Sequence, residues 1–161
     1  MKWGIALTSA LLLVAGGIGY GGHLAVKSHR DSDALERAND AALAAAKSCV
    51  AATQPPDAAA VPRAQQTLIE CSTGDFESQA AWYGAVLGQA YQAVGVHVQI
   101  PEMYAAVERI NTDGSVLAIM AFSVTISRQG MQDRQNSYRV RVKMVRENGQ
   151  FKVAELNQVA Q

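Results

Sequence analysis

The residues that could carry out chemistry are few and lie far apart in the sequence. The three histidines, His23, His29 and His97, are not spaced as a set of metal ligands. The sequence contains no GxSxG nucleophile motif, no phosphate-binding loop, no GxGxxG and no HExxH zinc motif. We therefore expect no catalytic residue, no metal ion and no cofactor.

Two carboxylates are candidates for a general base. A pocket enclosed between a sheet and its helices can raise the pKa of a buried carboxylate until it exchanges protons near neutral pH. Glu108, in a predicted strand, and Asp75, at the start of a predicted helix, are the candidates. A solvated glutamate and a helix cap explain them more simply. We predict that the protein is not an enzyme, with a pocket enzyme or lipid-binding domain of the isomerase kind as the alternative.

The two cysteines are the sharpest local feature. Cys49 and Cys71 have no further thiol as partner, and their spacing fits no metal site. An even pair in a small domain outside the membrane indicates a disulfide. Such a bond would stabilise the fold by roughly 3 kcal/mol in the chain-entropy model. Two unlinked buried thiols are the alternative.

An uncharged segment must position everything that follows it. No Asp, Glu, Lys or Arg occurs between Trp3 and Val26, a run of 24 residues. Because about 20 apolar residues cross the hydrocarbon core of a bilayer, the run predicts a single transmembrane anchor. A cleaved signal peptide, whose apolar core is normally shorter, is the alternative. We divide the chain into an anchor, 1–30, and a domain, 31–161.

The anchor has small residues at helical spacing, which predicts a contact face for a second membrane helix. The orientation is contested, because Lys27 and Arg30 follow the run and only Lys2 precedes it. That distribution by itself favours a cytoplasmic domain, whereas a disulfide favours the opposite side. The predicted contact face consists of Ala15, Gly17, Gly19 and Gly21.

Residues 31–161 are sufficient for one hydrophobic core. The whole chain has 14 basic and 14 acidic residues and a formal net charge of zero. It lacks the strongly basic surface of a nucleic-acid-binding domain, so no nucleic-acid partner is expected. Three helices are predicted: one that ends before Gln54, one that starts near Pro62 and is stopped by Gly74, and one from the cap Asp75 to Gly95.

The third helix is predicted to bury one amphipathic stripe, formed by Phe76, Tyr83, Val86, Leu87, Ala90, Tyr91 and Val94. The apolar period then changes to two, which predicts five strands, the first two being VHVQI and MYAAVERI. NTDG and ENGQ are hairpin signals. In the strand SYRVRVKMV, Arg139, Arg141 and Lys143 share the face opposite the core, where they are solvated or meet a partner. The fold class is α+β, with helices on one face of a curved antiparallel sheet.

The order of these parts resembles the Mce-associated membrane proteins of mycobacteria and related actinobacteria. The resemblance rests on the anchor, the alanine-rich first helix, the TGDF sequence from Thr73 to Phe76, the AAVERI strand and the final YRVRVKMVRENGQFKVAELNQV. It implies a nuclear-transport-factor-2-like cone of about three helices on four to five antiparallel strands. Similar folds serve as assembly factors of secretion systems and as small isomerases, so fold alone does not give function.

The resemblance also implies a role. Members of that family are regarded as accessory subunits that support Mce-type lipid importers, for sterols or fatty acids, and they have no catalytic signature. The expected location is the inner (plasma) membrane, with the N-terminus cytoplasmic and the domain periplasmic. The expected partners are subunits of the Mce transporter complex, the membrane itself and a related accessory protein. An assembly factor of a secretion system is a further alternative.

Overall fold

The computed structural model describes residues 27, 29–30 and 32–159, except for the side chains of residues 85 and 94. The uncharged run from Trp3 to Val26 and its small-residue face therefore lie outside the described residues. None of the helices in the described ranges is long and apolar enough to cross a bilayer. The chain divides into two units, Met1–Ala38 and Asn39–Gln161. In the smaller unit, residues 32–38 are helical and mostly exposed.

The larger unit contains three helices. They are α1, residues 39–52, followed by α2, Val61–Cys71, and α3, Gly74–Val94. As predicted, α3 ends where Gly95 adopts the left-handed conformation (φ 59°) and donates its N–H to the carbonyl of Tyr91. One boundary prediction was wrong. Gly74 is the first residue of α3 and does not stop α2, and the N-cap position belongs to Thr73, not Asp75.

Four antiparallel strands follow in the order β1-β2-β3-β4. The strands are β1, Val96–Ile110, β2, Val116–Arg128, β3, Arg134–Glu147, and β4, Gln150–Gln158. The two segments predicted as separate first strands form the single strand β1. Its pairing with β2 shifts between Gln99 and Glu102, around Pro101. Since proline has no N–H to donate to the ladder, this interruption made one strand look like two in the sequence.

The turn signals were read correctly. Asn148 and Gly149 both have positive φ, 51° and 82°, and Glu147 pairs with Gln150 across them. This is the two-residue hairpin that an Asn-Gly pair favours. In the hairpin between β1 and β2, Asp113 accepts hydrogen bonds from the hydroxyl and the backbone N–H of Ser115. These hydrogen bonds lower the pKa of the Asp113 carboxyl.

The core lies between the helices and one face of the sheet. On α1 the fully buried residues are Ala42, Ala46, Cys49 and Val50, so two of the four carry only a methyl group. Small side chains let helix and sheet approach closely, and each larger buried side chain contributes about 1.5–3 kcal/mol. The buried residues of the sheet are Val98, Val116, Ala118, Met120, Phe122, Val124, Val140, Val142, Met144 and Val153.

The predicted apolar stripe of α3 is only partly in the core. Tyr91 is buried, and Phe76 and Leu87 are half-buried against the core. By contrast, Tyr83 and Val86 have exposed fractions of 39% and 49%. The apolar residues of α3 do recur at helical spacing, as predicted. However, the sheet covers a narrower strip of the helix than the prediction assumed, so Tyr83 and Val86 stay exposed.

The segment between α1 and α2 is held by two long-range hydrogen bonds. The Tyr91 hydroxyl donates to the carbonyl of Pro55 at 2.9 Å, and the N–H of Val98 donates to the carbonyl of Pro56 at 2.8 Å. Burial, and to a smaller degree the nearby Tyr83, raises the pKa of Tyr91 to about 12. The hydroxyl therefore stays protonated and remains a donor throughout the physiological pH range.

A disulfide between Cys49 and Cys71 joins the last turn of α1 to the end of α2, with a Cα–Cα distance of 5.7 Å. The next residue, Ser72, is fully buried and pairs with Val153 of β4 in an isolated parallel β-bridge. The N–H of Thr73 donates to the carbonyl of Val153 at 2.9 Å. The disulfide at Cys71 and the backbone contacts of Ser72 and Thr73 with β4 are therefore adjacent in the chain.

We expect Tyr91→Phe to lower the free energy of unfolding by about 1–3 kcal/mol, because the buried Pro55 carbonyl loses its donor. The raised pKa of Tyr91 stabilises the fold fully below pH 10, and this contribution is lost as the pH rises through about 12. Urea denaturation between neutral and strongly alkaline pH measures both effects. An alkaline loss of stability that is equally steep in Tyr91→Phe would contradict the assignment.

Replacing both cysteines by serine should cost about 2–4 kcal/mol of unfolding free energy. The closed loop has a sequence separation of 22 residues, and its unfolded ensemble gains freedom when the bond is absent. Chemical denaturation of the oxidised protein, the reduced protein and the double variant gives the measurement. Equal midpoints for the oxidised and reduced forms would show that the bond contributes nothing.

Candidate functional site

A cavity of about 650 Å³ lies in the larger unit between the helices and the inner face of the sheet. Its innermost lining is apolar and buried, with Leu68 from α2, Ala80 from α3, Phe122 from β2 and Val140 from β3. We call these four residues the floor. They reach one place because α2, α3 and the two central strands all present their core-facing side chains there.

One side of the cavity is lined by aromatic rings, including Phe122 of the floor. The rings of Phe122 and Tyr138 are stacked with centroids 5.5 Å apart and an interplanar angle of 27°. Tyr83 of α3 also lines the cavity. Burial, and secondly the neighbouring Tyr138, raises the pKa of Tyr83. Both causes favour the neutral phenol, so this side of the cavity carries no charge at neutral pH.

The rim of the cavity is polar but uncharged. Ser78 and Gln79 of α3 and Gln158 of β4 line it and are exposed to solvent, and the half-buried Gln54 lies beside them in the lining. Among the described residues, no hydrogen bond uses the side-chain amide of Gln54, Gln79 or Gln158. These amides are free to donate to, or accept from, a group that enters the cavity.

The lining has no acid–base group that works near neutral pH. None of the described residues around the cavity is an Asp, Glu, His, Lys, Arg or Cys. In the described ranges there is also no group of three or more His, Cys, Asp or Glu side chains that could hold a metal ion. The polar groups that the described lining does offer are hydroxyls and side-chain amides.

The candidate bases lie elsewhere. Glu108 is exposed on the outer face of the sheet and accepts two hydrogen bonds from Arg141, at 2.7 and 2.9 Å. The hydrogen bonds and then the charge of Glu108 raise the pKa of the Arg141 guanidinium. Asp75 is exposed in the first turn of α3. His97 is exposed on β1 and His29 is exposed in the smaller unit, while His23 lies outside the described residues.

The three basic side chains predicted on β3 do point away from the core, but the surface that they form carries less positive charge than the sequence suggested. Arg139, Arg141 and Lys143 alternate with buried residues along β3. Arg141 is paired with Glu108, and Lys143 with Glu155 at 3.1 Å. Within the described part of the chain, Arg139 is the one member of the three without an ion pair. The face is therefore largely neutralised within the protein.

Trp82 was missed in the sequence. Its side chain is 71% exposed and lines the cavity, next to Tyr83 and one turn before the exposed Val86. We call Trp82, Tyr83 and Val86 the apolar mouth. The signal that could have identified it is the width of the apolar surface on α3, which exceeds what a single core-facing stripe requires.

Comparisons with known proteins give one family and one fold. The family model described as "Uncharacterized protein Rv1363c/MT1408-like" matches residues 3–160. The uncharacterized protein Rv1363c of Mycobacterium tuberculosis is 28% identical over 157 residues. That alignment covers 94% of this chain, and the chain spans 58% of the length of that relative.

Two solved structures are similar in backbone. The crystal structure of the intermembrane space region of the chloroplast protein ARC6 has a TM-score of 0.50 and 17% identity, and the match covers 74% of this chain and 97% of that one. A protein titled as a variant of Rd1NTF2_05 has a TM-score of 0.35 and 12% identity, with 80% and 99% covered. The similarity to the ARC6 region concerns the fold alone, and the TM-score of the second structure is too low to support an argument.

The exposure of Trp82 predicts a spectroscopic result. The chain has two tryptophans, so Trp3→Phe leaves Trp82 as the single indole. We expect red-shifted emission and efficient quenching by acrylamide, because 71% of the residue is in contact with solvent. Denatured protein provides the reference for full exposure. Blue-shifted emission that acrylamide hardly quenches would show that the mouth is closed.

Proposed function

We propose that this chain, which belongs to the family of uncharacterized Rv1363c/MT1408-like proteins, is a non-catalytic accessory subunit of a lipid-import assembly in the cell envelope. In this proposal a single helix from Trp3 to Val26 anchors it in the inner membrane. The domain has a nuclear-transport-factor-2-like fold and lies on the outer side. The assembly is of the Mce type, for sterols or fatty acids.

The observation that carries the proposal is the chemistry of the cavity. Its floor is apolar, its rim is neutral, and no lining residue of the described chain can exchange a proton near neutral pH. A general base must lie within hydrogen-bond distance of the proton that it removes. Neither Glu108 nor Asp75 lines the cavity, so the geometry favours binding over catalysis and the isomerase alternative has no base to rely on.

The location is supported by the disulfide and by the uncharged N-terminal run. Disulfides persist in oxidising compartments and are rare in the cytosol. The bond between Cys49 and Cys71 therefore favours a domain outside the cytoplasm. The opposing signal, Lys27 and Arg30 against Lys2, amounts to one charge. A cytoplasmic N-terminus followed by one membrane crossing accommodates all of these features except that charge difference.

Two surfaces are candidates for contact with partners. On the membrane helix, the small residues Ala15, Gly17, Gly19 and Gly21 would let a transporter subunit or a related accessory protein approach closely. On the domain, Arg139 is the member of the predicted basic face that has no ion pair among the described residues, and it could meet an acidic partner. The two paired members of that face, Arg141 and Lys143, would first have to exchange their intramolecular partners.

The proposal predicts that the intact protein, isolated from native membranes in mild detergent, brings Mce transporter subunits with it. The measurement is affinity purification followed by mass spectrometry of the recovered proteins. Repeated recovery of the protein alone, or with unrelated membrane proteins only, would contradict the proposed role.

Matched variants locate the contact. We expect the double change Gly17→Leu and Gly21→Leu to reduce recovery of the transporter subunits, because leucine side chains keep a neighbouring helix at a distance. Asp75→Asn, which alters an exposed group in the first turn of α3 and lies outside both candidate contacts, is the control and should leave recovery unchanged. If both variants behave like the unaltered chain, the small-residue face is not the contact.

A further inference from the structure

We propose that the cavity between α3 and the sheet is a binding site for a single small molecule that is uncharged, largely apolar, and carries a hydroxyl or carbonyl group at one end. This goes beyond the accessory role, which requires of the cavity only that it is not a reaction centre. The two ideas are tested by separate experiments and can fail separately.

The size of the cavity is appropriate for a ligand. The cavity is a cleft that opens to solvent at its rim, and its volume is about 650 Å³. It falls within the range of about 300–1,000 Å³ that small-molecule sites occupy. Such sites combine an apolar lining with a few polar groups that fix orientation. The floor and the rim have this division.

The charge of the ligand follows from what the lining lacks. A charged head group at the open rim loses part of its hydration, and it must gain an ion pair or hydrogen bonds for the part that it loses. None of the described residues of the lining supplies a full charge of either sign. Tyr83 does not change this, because burial raises the pKa of its phenol. A neutral ligand enters without that cost.

The polar end of the ligand is placed by the rim. Gln79 and Gln158 are exposed, line the cavity, and make no side-chain hydrogen bond within the described chain. An amide offers both a donor and an acceptor, so it can serve a hydroxyl or a carbonyl equally. The apolar body of the ligand then lies on the floor, beside the stacked rings of Phe122 and Tyr138.

The apolar mouth supplies the remaining contact. Trp82 and Val86 have exposed fractions of 71% and 49%, and Trp82 and Tyr83 belong to the lining itself. Large apolar side chains that are grouped on a protein surface often mark a site where a ligand or another protein binds and covers them. A molecule that fills the cavity would bury part of Trp82 from the inner side. Trp82 is therefore both a contact and a reporter.

The test uses the full chain carrying Trp3→Phe in lipid nanodiscs, with bromododecanol and bromododecanoate as probes. Bromine quenches indole fluorescence on contact, so the emission of Trp82 measures occupancy. We expect quenching by the alcohol to saturate at one molecule per chain, with an apparent affinity about tenfold or more above that of the ionised acid. Equal or tighter binding of the acid would overturn the assignment of a neutral ligand.

Variants separate the cavity from the lipid around it. Ala80→Phe fills the floor, and Ser78→Phe narrows the exposed rim with little risk to folding, so at least one of them tests a folded protein. Both should abolish saturable quenching. Ala121→Phe, on the exposed outer face of the sheet, is the matched control and should bind normally. Quenching that survives both cavity changes, or that never saturates, would show that no site exists there.

Discussion

The fold depends on covering one apolar face of an antiparallel sheet. At one end of that face the cover is close, since Val142, Met144 and Val153 are fully buried there. Toward the other end, the strands present the larger rings of Phe122 and Tyr138. Helix and sheet separate there, and the cavity is the space between them. The cavity therefore results from the order of small and large side chains along the inner face of the sheet.

Much of the frame could be predicted from local chemistry. Proline and glycine act on their own backbone, so Pro55, Pro62, Gly95 and the Asn148-Gly149 turn marked boundaries within a residue or two of where they occur. Alternation along β3 correctly separated its buried and exposed faces. Pro101 was misleading because an interrupted ladder and two separate strands look alike in one sequence.

The candidate site could not be predicted in the same way, because it is made of relations between distant segments. The partner of Arg141 is Glu108, 33 residues away on a non-adjacent strand, and sequence alone does not show that the two charges cancel. The exposure of Trp82 depends on how far α3 stands from the sheet, which no local pattern encodes. The cysteine pair was an exception, because two thiols leave a single pairing to consider.

The order of the strands has a consequence for how the domain meets other proteins. Strands β1 and β4 are the edges of the sheet, and an open edge is a template on which a foreign strand can add. Along β1 this is hindered by Pro101, by the shift of register at that point, and by Pro56, which already accepts the N–H of Val98. Edge-to-edge aggregation, the common hazard of small sheets, is therefore restrained along the first part of β1, from Val98 to Pro101, by the backbone of the strand itself.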